Sequence, residues 1–293
     1  MLKRRTDLAA EALDLLRERG EQAGRLAGVR SRTREEDGFA LTEVEITSAA
    51  GARALGKPVG RYVTVDISPA LDGEGGRFSA AAALLGRELR RLLPERCEGL
   101  LCAGLGNRSL TADALGPLAV GHILPTRHLR EEGAPFAALP AVSVLAAEVV
   151  GRTGIEAAEQ LCALREALRP DAVLLIDALA GRSAARLCRT VQLADTGLVP
   201  GSGVGNHRLA LDRETLGVPV VAVGVPTVVD AATLALDLLE EAGAADAAPT
   251  LREGLFVTPK EIDERVTRLA RLIGYAVNAA ALGLTAEDSA ALL

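Results

Sequence analysis

Two uninterrupted apolar runs dominate the hydrophobic pattern, Leu100-Leu101-Cys102-Ala103-Gly104 and Ala172-Val173-Leu174-Leu175-Ile176. Runs of this length bounded by turn residues read as strands buried on both faces. Pro219 to Val225 reads as another, and Val191–Ala194 as a shorter one. Upstream the pattern alternates instead. Leu41, Val44 and Ile46 oppose Thr42, Glu43, Glu45 and Thr47, and with Arg61–Ile67 this predicts two half-buried strands joined through the Gly/Pro-punctuated stretch 51–60. Helical spacing appears over Thr6–Gly20, with Thr6 as N-cap, Leu8, Ala12, Leu15 and Leu16 on one face and Gly20 as the stop. Phe78–Leu93 is helical up to Pro94, and 114–123 also has helical character. Thr153-Gly154-Ile155-Glu156 reads as a capping box for a helix running toward Pro170. Pro226–Asp230 leads into a helix through Leu239, and Thr258-Pro259-Lys260-Glu261 opens a long helix to about Ala281. Residues 21–38, polar and rich in Arg and Glu, read as mobile, 73–76 and 125–140 as irregular, and 197–206 as a Gly-rich loop. Strands alternating with helices predict an α/β fold, a mainly parallel twisted sheet with helices on both faces.

Composition narrows the function classes. At 293 residues the chain can bury a sizeable core. A net charge of −6 leaves no basic footprint, so direct nucleic-acid binding is not expected, and 2% aromatics with no Trp provide few stacking platforms. The four cysteines, Cys97, Cys102, Cys162 and Cys188, form no C-x-x-C pair and read as small buried hydrophobes. The N-terminus turns charged at once and no window is long and apolar enough for a membrane span, so a cytoplasmic, reduced protein is expected.

Motif by motif, most chemistries lack support. Gly104-Leu105-Gly106-Asn107 follows a strand but lacks the third glycine and the distal acid of a dinucleotide fingerprint. Gly201–Asn206 lacks the Lys-Ser/Thr of a P-loop, and tight turns are the better reading of both. His122, His128 and His207 are scattered without metal-ligand spacing, and no G-x-S-x-G elbow exists. Neither a metal nor another cofactor is called for. Asp113, in the loop after the first core strand, and Asp177, at the end of the second, stand out. In open α/β sheets chemistry collects at the carboxyl ends of strands, although Asp also caps helices and loop amides there. If the two carboxylates meet, repulsion keeps one protonated, so that one can activate water while the other donates a proton.

The sequence resembles the germination proteases of spore-forming bacteria over nearly its whole length. The resemblance rests on Gly104–Asn107 with Asp113-Ala114-Leu115-Gly116-Pro117, on Thr126-Arg127-His128-Leu129, Thr153–Glu156 and Asp177-Ala178-Leu179-Ala180. It extends through Ala194-Asp195-Thr196-Gly197, Pro200–Asn206, Gly224–Asp230 and Val257–Asp263. It implies an endopeptidase that starts degradation of small acid-soluble spore proteins at germination, made as a homotetrameric, self-processing zymogen in the spore core. It also implies a fold similar to the hydrogenase maturation endopeptidases and a catalytic acid pair falling on Asp113 and Asp177. Family substrates are cut after an acid in a Thr-Glu-apolar-Ala-x-Glu context, which Thr6-Asp7-Leu8-Ala9-Ala10-Glu11 resembles. Self-processing is therefore expected between Asp7 and Leu8. The propeptide would be residues 1–7 and the peptidase domain 8–293, with a β-containing subdomain around 38–70. Arg108, Ala112, Ala147 and Glu148 depart from the family pattern, putting substrate preference in question. Two other readings compete: a metal-using maturation peptidase on the same fold, with His128 as its candidate ligand, and a catalytically inactive oligomeric relative.

Overall fold

Nine strands of one mixed sheet organise the chain in a computed structural model that describes residues 5–18, 27–72, 76–202, 208–244 and 254–293. They are β1 (Val29–Glu36), β2 (Phe39–Ile46), β3 (Gly60–Asp66), β4 (Gly99–Leu105), β5 (Ala141–Ala147), β6 (Ala172–Gly181), β7 (Thr190–Ala194), β8 (Val220–Asp230) and β9 (Phe256–Val257). Their spatial order is β1-β2-β3-β7-β8-β6-β4-β5, with β9 pairing the far end of β8. The strands β8, β6, β4 and β5 run parallel and contain the apolar runs seen in the sequence. β1, β2, β3 and β7 extend this parallel half as an antiparallel ribbon.

The helices are α1 (Ala9–Glu18), α2 (Ala49–Leu55), α3 (Ser68–Asp72), α4 (Arg77–Leu92), α5 (Leu115–Ala119), α6 (Val150–Thr153), α7 (Ala157–Leu168), α8 (Arg213–Leu216), α9 (Ala231–Glu241), α10 (Ile262–Leu282) and α11 (Ala286–Leu292). Strand alternation explains how they divide between the faces, because successive side chains point to opposite sides. Leu100, Cys102, Leu174 and Ile176 pack against α4, α5 and α10 in one core. Leu101, Ala103, Val173 and Leu175 pack against α7 and α8 in a second. Leu13 and Leu16 of α1 cover Val44, Ile46 and Tyr62 at the antiparallel end. Cys102 and Cys188 are buried, no cysteine is paired, and burial raises the Cys97 and Cys188 thiols to about 11. No single helix among the described residues is long and apolar enough to cross a membrane.

Several local expectations need correction. Residues 29–36 are not mobile but form β1. Its charged side chains pair across strands, Arg30 with Glu45 and Arg34 with Glu43, and Arg34 Nη2 also reaches Glu88 Oε1 at 2.7 Å. Such a strand has no apolar alternation to show, because its partners are charges on neighbouring elements. The stretch 51–60 contains most of α2, and Ala141–Ala147, for which the sequence pattern gives no expectation, is a strand. The capping box of α7 lies three residues beyond its expected start, between Glu156 and Glu159, while Thr153 closes a turn through Ile155. α10 begins at Ile262, after a turn in which the Ile262 N–H bonds Pro259 O. β6 does not stop at Asp177 but continues to Gly181, and β8 continues to Asp230, which caps α9 through the Thr233 N–H. The expected stop at Gly20, most of the 73–76 loop, residues 203–206 and His207 lie outside the described residues.

Candidate active site

The geometry around Asp113 follows from three close backbone approaches at the ends of β4 and β6. A Cβ at Gly104 would lie 2.0 Å from Gly116 O, and one at Gly116 would lie 2.3 Å from Leu105 O and 2.4 Å from Ile176 O. Only glycines let α5 sit directly on the two strand ends. Gly106 has φ +119°, and a Cβ there would lie 2.1 Å from Asp113 O. The chain therefore turns sharply after β4 and returns through the short 3-10 turn Thr111–Asp113. The Asn107 N–H then donates to Asp113 Oδ2 at 2.8 Å, and Thr227 Oγ1 donates to Ala112 O at 2.6 Å.

Asp177 reaches the same place from β6. Gly104 pairs with Ile176 in register, so Asp177 lies one residue beyond, level with the start of the turn after β4. Its side chain is 6% exposed and accepts from the Ala178 N–H at 2.9 Å. Both aspartates line one cavity of about 560 Å³. Burial, followed by the neighbouring Asp113 charge, pushes the Asp177 carboxyl well above the ordinary carboxylate range. Burial also raises Asp113, but the Asn107 N–H and the Arg208 charge oppose that shift. Of the two, the more deeply buried Asp177 is the one more strongly disposed to keep a proton.

The cavity wall includes residues that sequence reasoning did not assign. Glu148, which further raises Asp113, and Arg208, which lowers both acids, line it. Ala112, Ala147 and Glu148, three of the departures from the family pattern, are on the wall, whereas Arg108 is exposed and outside it. His128, in the 3-10 segment His128–Glu132, does not line the cavity. Among the described residues no group of three or more His, Cys, Asp or Glu side chains is placed to hold a metal ion.

Asp7 also lines this cavity. Its N–H donates to Ala180 O and its carboxylate accepts from the Ala180 N–H, both at 2.9 Å, on the part of β6 beyond Asp177. Gln192 of β7 brackets the Asp7–Leu8 peptide. Its Nε2 donates to Asp7 O at 3.2 Å, and its Oε1 accepts from the Ala9 N–H at 2.7 Å. Lys57 Nζ donates to Thr6 O at 3.1 Å, and Leu8 has no exposed surface. Gln192 had a signal in the sequence, the one polar residue inside the apolar run Val191–Ala194.

The family model for germination protease matches residues 9–241. A germination protease of Clostridium perfringens is 38% identical over 94% of this chain and 94% of its own length. One from Caldanaerobacter subterraneus subsp. tengcongensis is 38% identical over 99% and 98%, and one from Bacillus cereus 41% over 80% and 66%. Among solved structures, a [NiFe] hydrogenase maturation protease from Thermococcus kodakarensis matches with a TM-score of 0.37 and 23% identity, covering 65% of this chain and 99% of that one. On the family model and the full-length relatives together, the chain belongs to the germination protease family.

Proposed function

We propose that the chain is an aspartate-dependent endopeptidase that opens small acid-soluble spore proteins in the germinating spore. The observation that carries the mechanism is the placing of Asp113 and a deeply buried Asp177 in a common cavity, where burial first and then the charge of Asp113 raise Asp177. Asp113, whose carboxylate form the Asn107 N–H favours against its burial, takes a proton from water as the water oxygen attacks the substrate carbonyl carbon. Asp177 donates its proton toward the carbonyl oxygen, so negative charge does not build up in a low-dielectric site. As the tetrahedral intermediate collapses and the C–N bond breaks, Asp113 passes the proton it took from water to the departing amine, and the hydroxyl formed from the carbonyl oxygen returns its proton to Asp177.

The same reading includes self-processing between Asp7 and Leu8, supported by the presence of Asp7 at the cavity. The start of α1 is tied down by Gln192 and Lys57, so self-cleavage requires this segment to leave those contacts first. The assembly proposed is a homotetramer, and sedimentation velocity reads it directly.

Incubation with a small acid-soluble spore protein tests the reading, using the wild type, Asp113→Asn and Asp177→Asn, with and without chelator. Cleavage lost in both variants and unaffected by chelator supports the acid pair. Loss on chelation transfers the chemistry to a metal, and an inactive wild type identifies a binding protein. Intact mass of the aged, active protein checks self-processing, and persistence of the full-length mass refutes it.

A further inference from the structure

Asp7 is not held as a helix cap. An N-cap aspartate accepts from the first N–H groups of its own helix. Here Thr6 Oγ1 accepts from the Leu8 N–H at 3.0 Å, and the Ala9 N–H goes to Gln192. Both Asp7 carboxylate oxygens point away from α1. Oδ2 accepts from the Ala180 N–H at 2.9 Å and Oδ1 from Ser202 Oγ at 2.8 Å.

This carboxylate has the partly buried Lys57 ammonium as an electrostatic partner on one side and the acid-rich cavity wall on the other. The described residues lining the cavity include Asp113, Glu148 and Asp177 but a single cation, Arg208. Adding an acid to such a wall is unfavourable unless dedicated donors offset the repulsion and desolvation. Ala180 and Ser202 are those donors, and they come from different parts of the fold: the end of β6 and the loop after β7. The Asp7 N–H also pairs with Ala180 O, as an extended peptide laid along β6 would.

We infer that Ser202 Oγ and the Ala180 N–H form a subsite that takes the carboxylate of an Asp or Glu on the N-terminal side of the bond to be cut. The inference rests on the peptidase reading above and names the side chain that makes the acid preferred. Ser202 is a specificity residue: it donates to the substrate carboxylate and takes no part in the proton transfers.

The test uses the full chain, aged to constant mass, and two synthetic peptides. One copies residues 4–15 of this chain and the other carries Asp7→Asn. The wild type is expected to prefer the acid peptide. Loss of a hydrogen bond to a charged group should make Ser202→Ala lower that preference about tenfold, mainly through KM. Ser202→Thr, which keeps the hydroxyl, should restore most of it. An acid-over-amide ratio unchanged by Ser202→Ala, or a ratio that Ser202→Thr loses equally, overturns the assignment. Cleavage of neither peptide by the wild type overturns the peptidase reading, and the subsite with it.

Discussion

Gly116→Ala is the sharpest test of how the fold positions its acids. The added Cβ would lie 2.3 Å from Leu105 O, 2.4 Å from Ile176 O and 2.5 Å from Leu105 N. All three are backbone atoms at the ends of β4 and β6, so no rotamer change relieves the overlap. Ordinary contact begins near 3.4 Å, so α5 must retreat by about 1 Å in a close-packed interior. Overpacking of this kind costs about 1–3 kcal/mol. Asp113 ends the 3-10 turn joined to α5 through the single residue Ala114 and moves with it, while Asp177 stays on β6. A displacement of about 1 Å between reacting groups can cost on the order of 100-fold in rate. Urea denaturation gives the first quantity and peptide cleavage the second. Gly121→Ala is the control, because nothing lies within 4 Å of a Cβ there and φ is unremarkable. It should be neutral or stabilise by up to about 1 kcal/mol through the unfolded state. If Gly116→Ala proves as stable and as active as Gly121→Ala, the close approach of α5 does not position the pair.

Other consequences can be measured separately. Because Asp177 is raised in the folded state, its contribution to stability is complete below its unfolded pKa and is lost as pH climbs through the folded one. Asp177→Asn escapes that loss, so its urea midpoint should improve relative to wild type as pH rises from the acid range toward neutrality; a difference constant with pH refutes this. Gln192→Ala strands the Asp7 carbonyl and the Ala9 N–H, which should cost about 1–3 kcal/mol locally. Hydrogen exchange should then quicken over the first turn of α1, and unchanged protection there would count against Gln192 as its clamp. Arg34→Met removes one partner of Glu88, which is 1% exposed, and should destabilise by about 2–3 kcal/mol. Equal urea midpoints for wild type and Arg34→Met would show that Arg91 alone satisfies Glu88.

Much of the central sheet was legible because strands buried on both faces must be continuously apolar, as β4, β6 and β8 are. The charged strand β1 was not, since its side chains are satisfied by Glu43, Glu45 and Glu88 on other elements. Local pattern also misjudged where β6 ends. Asp177 looks like a terminus, but β8 continues to pair with Ala178 and Leu179 and, past a register shift, with Ala180 and Gly181. That extension receives Asp7. Helix starts slipped by about three residues at α7 and α10 because several capping-type residues stood in a row and tertiary packing chose among them.

By itself the sequence determined that apolar strands alternate with amphipathic helices, that two aspartates follow apolar core strands, and that the motifs match one family. These are properties of residue type and spacing, which survive without knowledge of contacts. Only the tertiary structure decided that Asp113 and Asp177 share a cavity, that the more buried of them favours the proton, and that Asp7 lies beside them. The reason is physical. Whether an acid caps a helix, binds a ligand or moves a proton depends on how much water remains around it and on which charges and N–H groups face it. Those neighbours are brought in from β8, from the loop after β7 and from the glycine-mediated seat of α5, far apart in the chain.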